Sequence, residues 1–163
     1  MIDCAAFVAD VHRRKVTHEA GHAVAAVARG GRVIRFEVPF DDFSAGVEVV
    51  GQPLVTHASD PLDQSFITYA GLWATARWMV EREADVDDMR DAMDCAMADH
   101  SAGAASDVAK LLTAGVDATA PPAGWDAELE RLWPRIVAVA DHFFTHGQLD
   151  HAGIASILPR SLV

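Results

Sequence analysis

The segment Thr17-His18-Glu19-Ala20-Gly21-His22 sits inside a long helix-compatible stretch and restricts what surrounds it more than any other part of the chain. On an α-helix, positions four apart differ by about 40° in azimuth and about 6 Å in rise, so His18 and His22 project from one face. They are then close enough to share one ion. Neutral imidazole nitrogens bind zinc at about 2.0–2.1 Å, and a helix fixes two such donors with no loop to order. Glu19 stands about 100° round from His18, beside an ion rather than aimed at it, which suits a general base acting on a water. Ala20 and Gly21 leave room beside the metal. Glycine costs a helix interior about 1 kcal/mol relative to alanine, so something other than helix stability favours Gly21. Past His22 the face turns apolar through Val24, Ala25, Val27 and Ala28, as expected of a helix buried in a domain. The competing interpretation is an amphipathic helix with exposed histidines and an incidental glutamate.

A chain of 163 residues with 51% hydrophobic residues fits one folded domain, 1–163, with a core of its own. Such a core needs no metal to hold it together, so an ion here points to a functional role rather than a structural one. The 13 basic and 24 acidic residues leave a net charge of −11, which argues against nucleic-acid and membrane-surface partners. Cys4 and Cys95 form no CxxC pair. No signal peptide and no apolar run of about 18–20 residues is present, which gives a cytoplasmic, reduced setting as the expectation.

Asp3 to Arg29 is helical as one long helix or two shorter ones, with Gly30-Gly31 as the stop. Arg32 to Val38 alternates in the manner of a strand, and with Gly46 to Gly51 it predicts a small hairpin. Ser59 or Asp60 caps a largely apolar helix that has Pro61 in its first turn and runs to about Val80. In the acidic piece that follows, Val86, Met89, Met93 and Met97 recur at helical spacing and predict a solvated amphipathic helix. A further helix begins near Ala104 and ends near Ala114, and a loop carries Pro121-Pro122. A helix then runs from Trp125 to about Thr145, Gly147 stops it, and Asp150 caps a short last helix. The fold class expected is mainly α with a small β-hairpin or sheet and a zincin-like HExxH helix.

A catalytic zinc site usually takes three protein ligands and keeps a fourth position for water. The metzincin layout needs a glycine and a histidine where Ala25 and Ala28 stand, so it is excluded. Glu81 and Glu83 on the EREAD segment offer a glutamate ligand of the gluzincin type, and Asp107 in GAASDVAKLL is the stronger candidate. HEAGHAVAA, a small sheet, an apolar helix containing YAG, the segment Gly103-Ala104-Ala105-Ser106-Asp107 opening a helix, and a terminal helix followed by LD occur in that order. Together these resemble the peptidase domain of the FtsH family, the AAA+ zinc proteases, over about Val11 to Leu158. That resemblance implies zinc held by His18, His22 and Asp107, with Glu19 as catalytic base. A plain helix cap at Ser106 or Asp107 is compatible with the same residues.

The chain departs from that family in three respects. It has no phosphate-binding loop of the GxxxxGK[ST] kind and no membrane span, it carries AGLWATAR where the family tends to an alanine-glutamate pair, and its acidic helix and Pro-Pro loop do not align. The expectation is therefore a zinc-dependent endopeptidase cutting unfolded or extended segments, ATPase-independent or with an ATPase supplied in trans, and able to form an oligomer. The alternative is a non-proteolytic metal-binding interaction or regulatory domain of the same fold. His142 and His146 are also four apart, but they lie at a helix C-terminus where surface or capping roles are favoured. His100 is a candidate substitute ligand or supporting donor. His12, His57 and His151 have no supporting context. Tyr69 reads as a buried core residue rather than an oxyanion stabiliser, and the four tryptophans, Trp73, Trp78, Trp125 and Trp133, read as packing the core or an interface rather than lining a specificity pocket. An extended substrate could add to a free sheet edge, at residues 33–38 or 46–50.

Overall fold

A computed structural model describes residues 4–38, 54–83, 85–101, 103 and 105–158. Along the chain these form α1 (Cys4–Ala28), β1 (Arg32–Glu37), β2 (Leu54–Ala58), a 3-10 turn (Pro61–Asp63), α2 (Gln64–Arg82), α3 (Met89–Asp99), α4 (Asp107–Thr113), α5 (Trp125–His146) and α6 (His151–Ile157). The protein is mainly helical, with one two-stranded antiparallel sheet among the described residues.

The two central helices are α1 and α2. Val16, Ala20, Ala23, Val24, Ala25, Ala26 and Val27 are fully buried, so the second half of α1 is covered on nearly every side. The single-helix alternative for the N-terminal stretch is the one adopted. It ends as its glycines dictate: Gly30 takes φ +76° while the Gly31 and Gly30 N–H groups bond back to Ala26 and Val27 carbonyls at 2.8 and 2.9 Å. Antiparallel to α1 lies α2, with Phe66, Ile67, Leu72, Trp73, Ala74, Trp78 and Met79 buried. Each such large side chain withdrawn from water is worth about 1.5–3 kcal/mol, which is why the pair holds the middle of the core. Gly21 lets the two backbones approach, because a Cβ there would stand 2.5 Å from the Ala70 carbonyl oxygen and 2.9 Å from Ala74 Cβ. The space at Gly21 therefore accommodates α2 rather than the surroundings of a metal.

Helix α5 closes one side, burying Leu129, Leu132, Trp133, Ile136, Val139, Ala140 and Phe143 at three- and four-residue steps. Pro134 falls on its exposed face, where water can reach the carbonyl left without a donor. Asp88 caps α3 through the Arg90 and Asp91 N–H groups, and Met89, Met93 and Met97 turn towards the core as their spacing predicts. Val86 packs on the core but precedes the helix.

The sheet differs from expectation. The partner of β1 is Leu54–Ala58, with Val33 opposite His57 and Phe36 opposite Val55, while the expected second strand, Gly46–Gly51, lies outside the described residues. A bulge between Val33 and Arg35 lets Val33 and Phe36 both face inward although they are three apart. The outer edge of β1 is covered at Val33, whose N–H donates to His151 Nδ1 of α6 at 3.3 Å.

Candidate metal centre

Helix α1 presents His18, Glu19 and His22 where it crosses α2, and the start of α4 brings Asp107 to the same place. Ser106 is the residue that caps α4, accepting the Ala109 N–H at 3.2 Å, so Asp107 is free to turn its carboxylate inward. Its Oδ2 lies 2.9 Å from His18 Nε2 and 3.1 Å from His22 Nε2, and the two Nε2 atoms are 3.0 Å apart. His18, Glu19 and His22 form a group that could hold a metal ion, each offering a donor atom within 4.8 Å of the others.

The hydrogen bonds behind the rings fix what those nitrogens carry. Thr75 Oγ1 donates its one proton to the Gly71 carbonyl at 3.0 Å, so it can only accept from His18 Nδ1, 2.9 Å away. His22 Nδ1 lies 2.8 Å from the Ile67 carbonyl oxygen, which can only accept. In its neutral form each imidazole therefore holds its proton on Nδ1 and turns the Nε2 lone pair towards the other ring and Asp107. Three basic atoms about 3 Å apart repel one another unless positive charge lies among them. Ligands at about 2.0–2.1 Å around a tetrahedral ion stand about 3.3 Å apart, so the triangle needs to open by only a few tenths of an ångström. The donor set fits a small divalent cation.

Electrostatics agree with this geometry. Burial pushes the His18 imidazole down to about 3, with His22 and His100 adding to the effect against the Asp107 bond. Burial also pulls His22 down, but Asp107, Glu19 and the Ile67 carbonyl overcome it and lift His22 to about 9. Asp107 stays ionised because the two histidines outweigh its desolvation and hold it far below the usual carboxylate range. Glu19 is raised to about 7, chiefly by burial, while His22, a backbone hydrogen bond from Val55 and Lys110 pull the other way. The His22 side chain is 12% exposed against 3% for His18, so the centre opens on the His22 side.

Several further residues complete the arrangement. At Gly71 of α2 a Cβ would lie 2.3 and 2.4 Å from His22 Cε1 and Nε2 and 2.9 Å from His18 Cε1, so only glycine admits both rings. A glycine in the middle of an apolar helix is a helix-propensity anomaly that could have marked it. Thr75, four residues on and fully buried, faces the same way. His57 on β2, which spacing left without a role, is half-buried with its ring shifted down by burial and by the neighbouring charges of His22 and Lys110. His100 stacks on His18 at 3.9 Å between centroids and 10° between planes, walling the site without entering the triangle.

The other candidates fall elsewhere. Glu81 accepts from Trp133 Nε1 at 3.0 Å and pairs with Arg77, and Glu83 pairs with Arg14 at 3.6 Å, so neither joins the histidines. His142 and His146 are exposed at the end of α5, their rings 4.5 Å apart. Tyr69 is buried and donates to Asp126 at 2.7 Å, and Trp73, Trp78 and Trp133 are buried, so these serve the core, as expected. No helix among the described residues is long and apolar enough to cross a membrane. Comparison of the chain with protein families, with curated proteins and with solved structures gives no match in any of the three.

Proposed function

We propose that this chain is a zinc-dependent endopeptidase, similar to the peptidase domain of the FtsH family, that hydrolyses unfolded or extended protein segments. The observation that carries the proposal is the convergence of two Nδ1-protonated histidines and one ionised aspartate on a common point, with a buried glutamate beside them. Two imidazoles, one carboxylate and an open side match the three-ligand pattern of catalytic zinc. His18, His22 and Asp107 would hold the ion. Zinc, when bound, supplies Lewis acidity towards a water and towards the scissile carbonyl.

The chain's own groups do the rest. Glu19, buried and raised to about 7, takes a proton from the attacking water and later gives it to the leaving amine. Thr75 and the Ile67 carbonyl hold the two rings in the tautomer that keeps Nε2 basic. The outer edge of β2, reaching Glu19 through the Val55 N–H, is a place for an extended substrate to pair by main-chain hydrogen bonds. Folded substrates would require an ATPase acting from another chain.

The test is zinc content together with cleavage of an unfolded fluorogenic protein by the wild type and by Glu19→Gln. Expected are one zinc per chain in both and a fall of about 100-fold or more in cleavage for the variant. Unchanged cleavage would overturn the role of Glu19. Stoichiometric zinc with no hydrolysis by the wild type would instead mark a metal-binding interaction domain.

A further inference from the structure

Asp107 uses its two oxygens differently. Oδ2 faces the histidines, while Oδ1 accepts from Lys110 Nζ at 2.9 Å. The lysine is three residues further along α4, on the same face of the helix. Ser106 capping one end and Leu111, 1% exposed, anchoring the other fix that face. The Lys110 side chain is 55% exposed, so the pair contributes little to the stability of the fold. Its consequence lies at the carboxylate, which is only 10% exposed.

We infer that Lys110 is a positioning residue that keeps Asp107 a one-oxygen ligand, so that a bound divalent ion retains an open coordination position. This rests on the donor set assigned above. A carboxylate free at both oxygens can chelate an ion through the two together, filling a place that water or substrate needs. An ammonium hydrogen-bonded to Oδ1 prevents that rotation. It also draws negative charge away from the oxygen facing the ion, leaving the ion the stronger Lewis acid.

Cobalt(II) reports coordination number directly, since four-coordinate centres absorb intensely in the visible and five- or six-coordinate centres weakly. The full chain is titrated with cobalt as wild type, Lys110→Met and Lys110→Arg, with circular dichroism confirming equal helix content. The expected result is one cobalt per chain in all three, intense bands for wild type and Lys110→Arg, and loss of the intense bands in Lys110→Met. Superimposable spectra of wild type and Lys110→Met would overturn the inference, as would weak bands in the wild type. So would failure of a folded Lys110→Met to take up cobalt, because a freed carboxylate should bind no less well. A wild type that binds no cobalt removes the metal centre itself and the inference with it, an outcome distinct from the other three.

Discussion

Gly71 and Thr75 carry no metal-binding chemistry, yet the centre depends on both. Gly71→Ala would put a methyl group 2.3–2.4 Å from His22 ring atoms, and those rings have to move. Overpacking of this kind costs about 1–3 kcal/mol, and displaced ligands are expected to lower zinc affinity about 10–100-fold. Competition with a chromophoric chelator measures the second effect and denaturant unfolding the first. Thr75→Val keeps the shape but removes the acceptor from His18 Nδ1. Zinc binding should weaken by about tenfold or more while the helix content holds, and unaltered affinity would mean that Thr75 does not orient His18. His18, Glu19 and His22 are legible in sequence because helical periodicity alone aligns them. Gly71 and Thr75 belong to a different helix, and their importance is a matter of contact distance rather than spacing.

The elements themselves were readable to different degrees. Apolar periodicity, Gly30, Pro61, Trp125 and Gly147 mark α1, α2 and α5 well, because burial and turn chemistry act locally there. The strand β2 was not legible. Its five residues, Leu54–Ala58, are strand only because β1 supplies their hydrogen bonds. Helix α4 starts at Asp107 rather than near Ala104, since Ser106 takes up the cap. Gly21 has a role at this scale. In an isolated helix Gly21→Ala would gain about 1 kcal/mol, but here the added carbon meets the Ala70 carbonyl oxygen at 2.5 Å. Contact with backbone cannot be relieved by a side-chain rotation, so the substitution should destabilise the protein by about 1–3 kcal/mol in chemical denaturation. A gain in stability would show that α1 and α2 are not so closely packed.

At the scale of the whole molecule, the centre ties α1, α2 and α4 together, and an ion held there binds only the folded chain. Zinc at about 100 times its dissociation constant should add about 2.7 kcal/mol, or roughly 5–10 °C in melting temperature, and a chelator should remove it. Protons compete for the same place. Without an ion, His22 keeps a proton up to about pH 9, so affinity should rise about tenfold per pH unit from neutrality towards that value and then level. Calorimetry in buffers of different ionisation enthalpy should register one proton released, and a pH-independent affinity would contradict the arrangement of the triangle. Sequence alone determined the helix that carries His18, Glu19 and His22 and the mainly helical class, because three-to-four-residue periodicity and capping are local effects. Tertiary structure alone decided that an aspartate 85 residues beyond His22 meets both rings, that Glu81 and Glu83 do not, and that a glycine and a threonine on α2 stand behind them. Those outcomes depend on distances between elements, which no pattern within one element encodes.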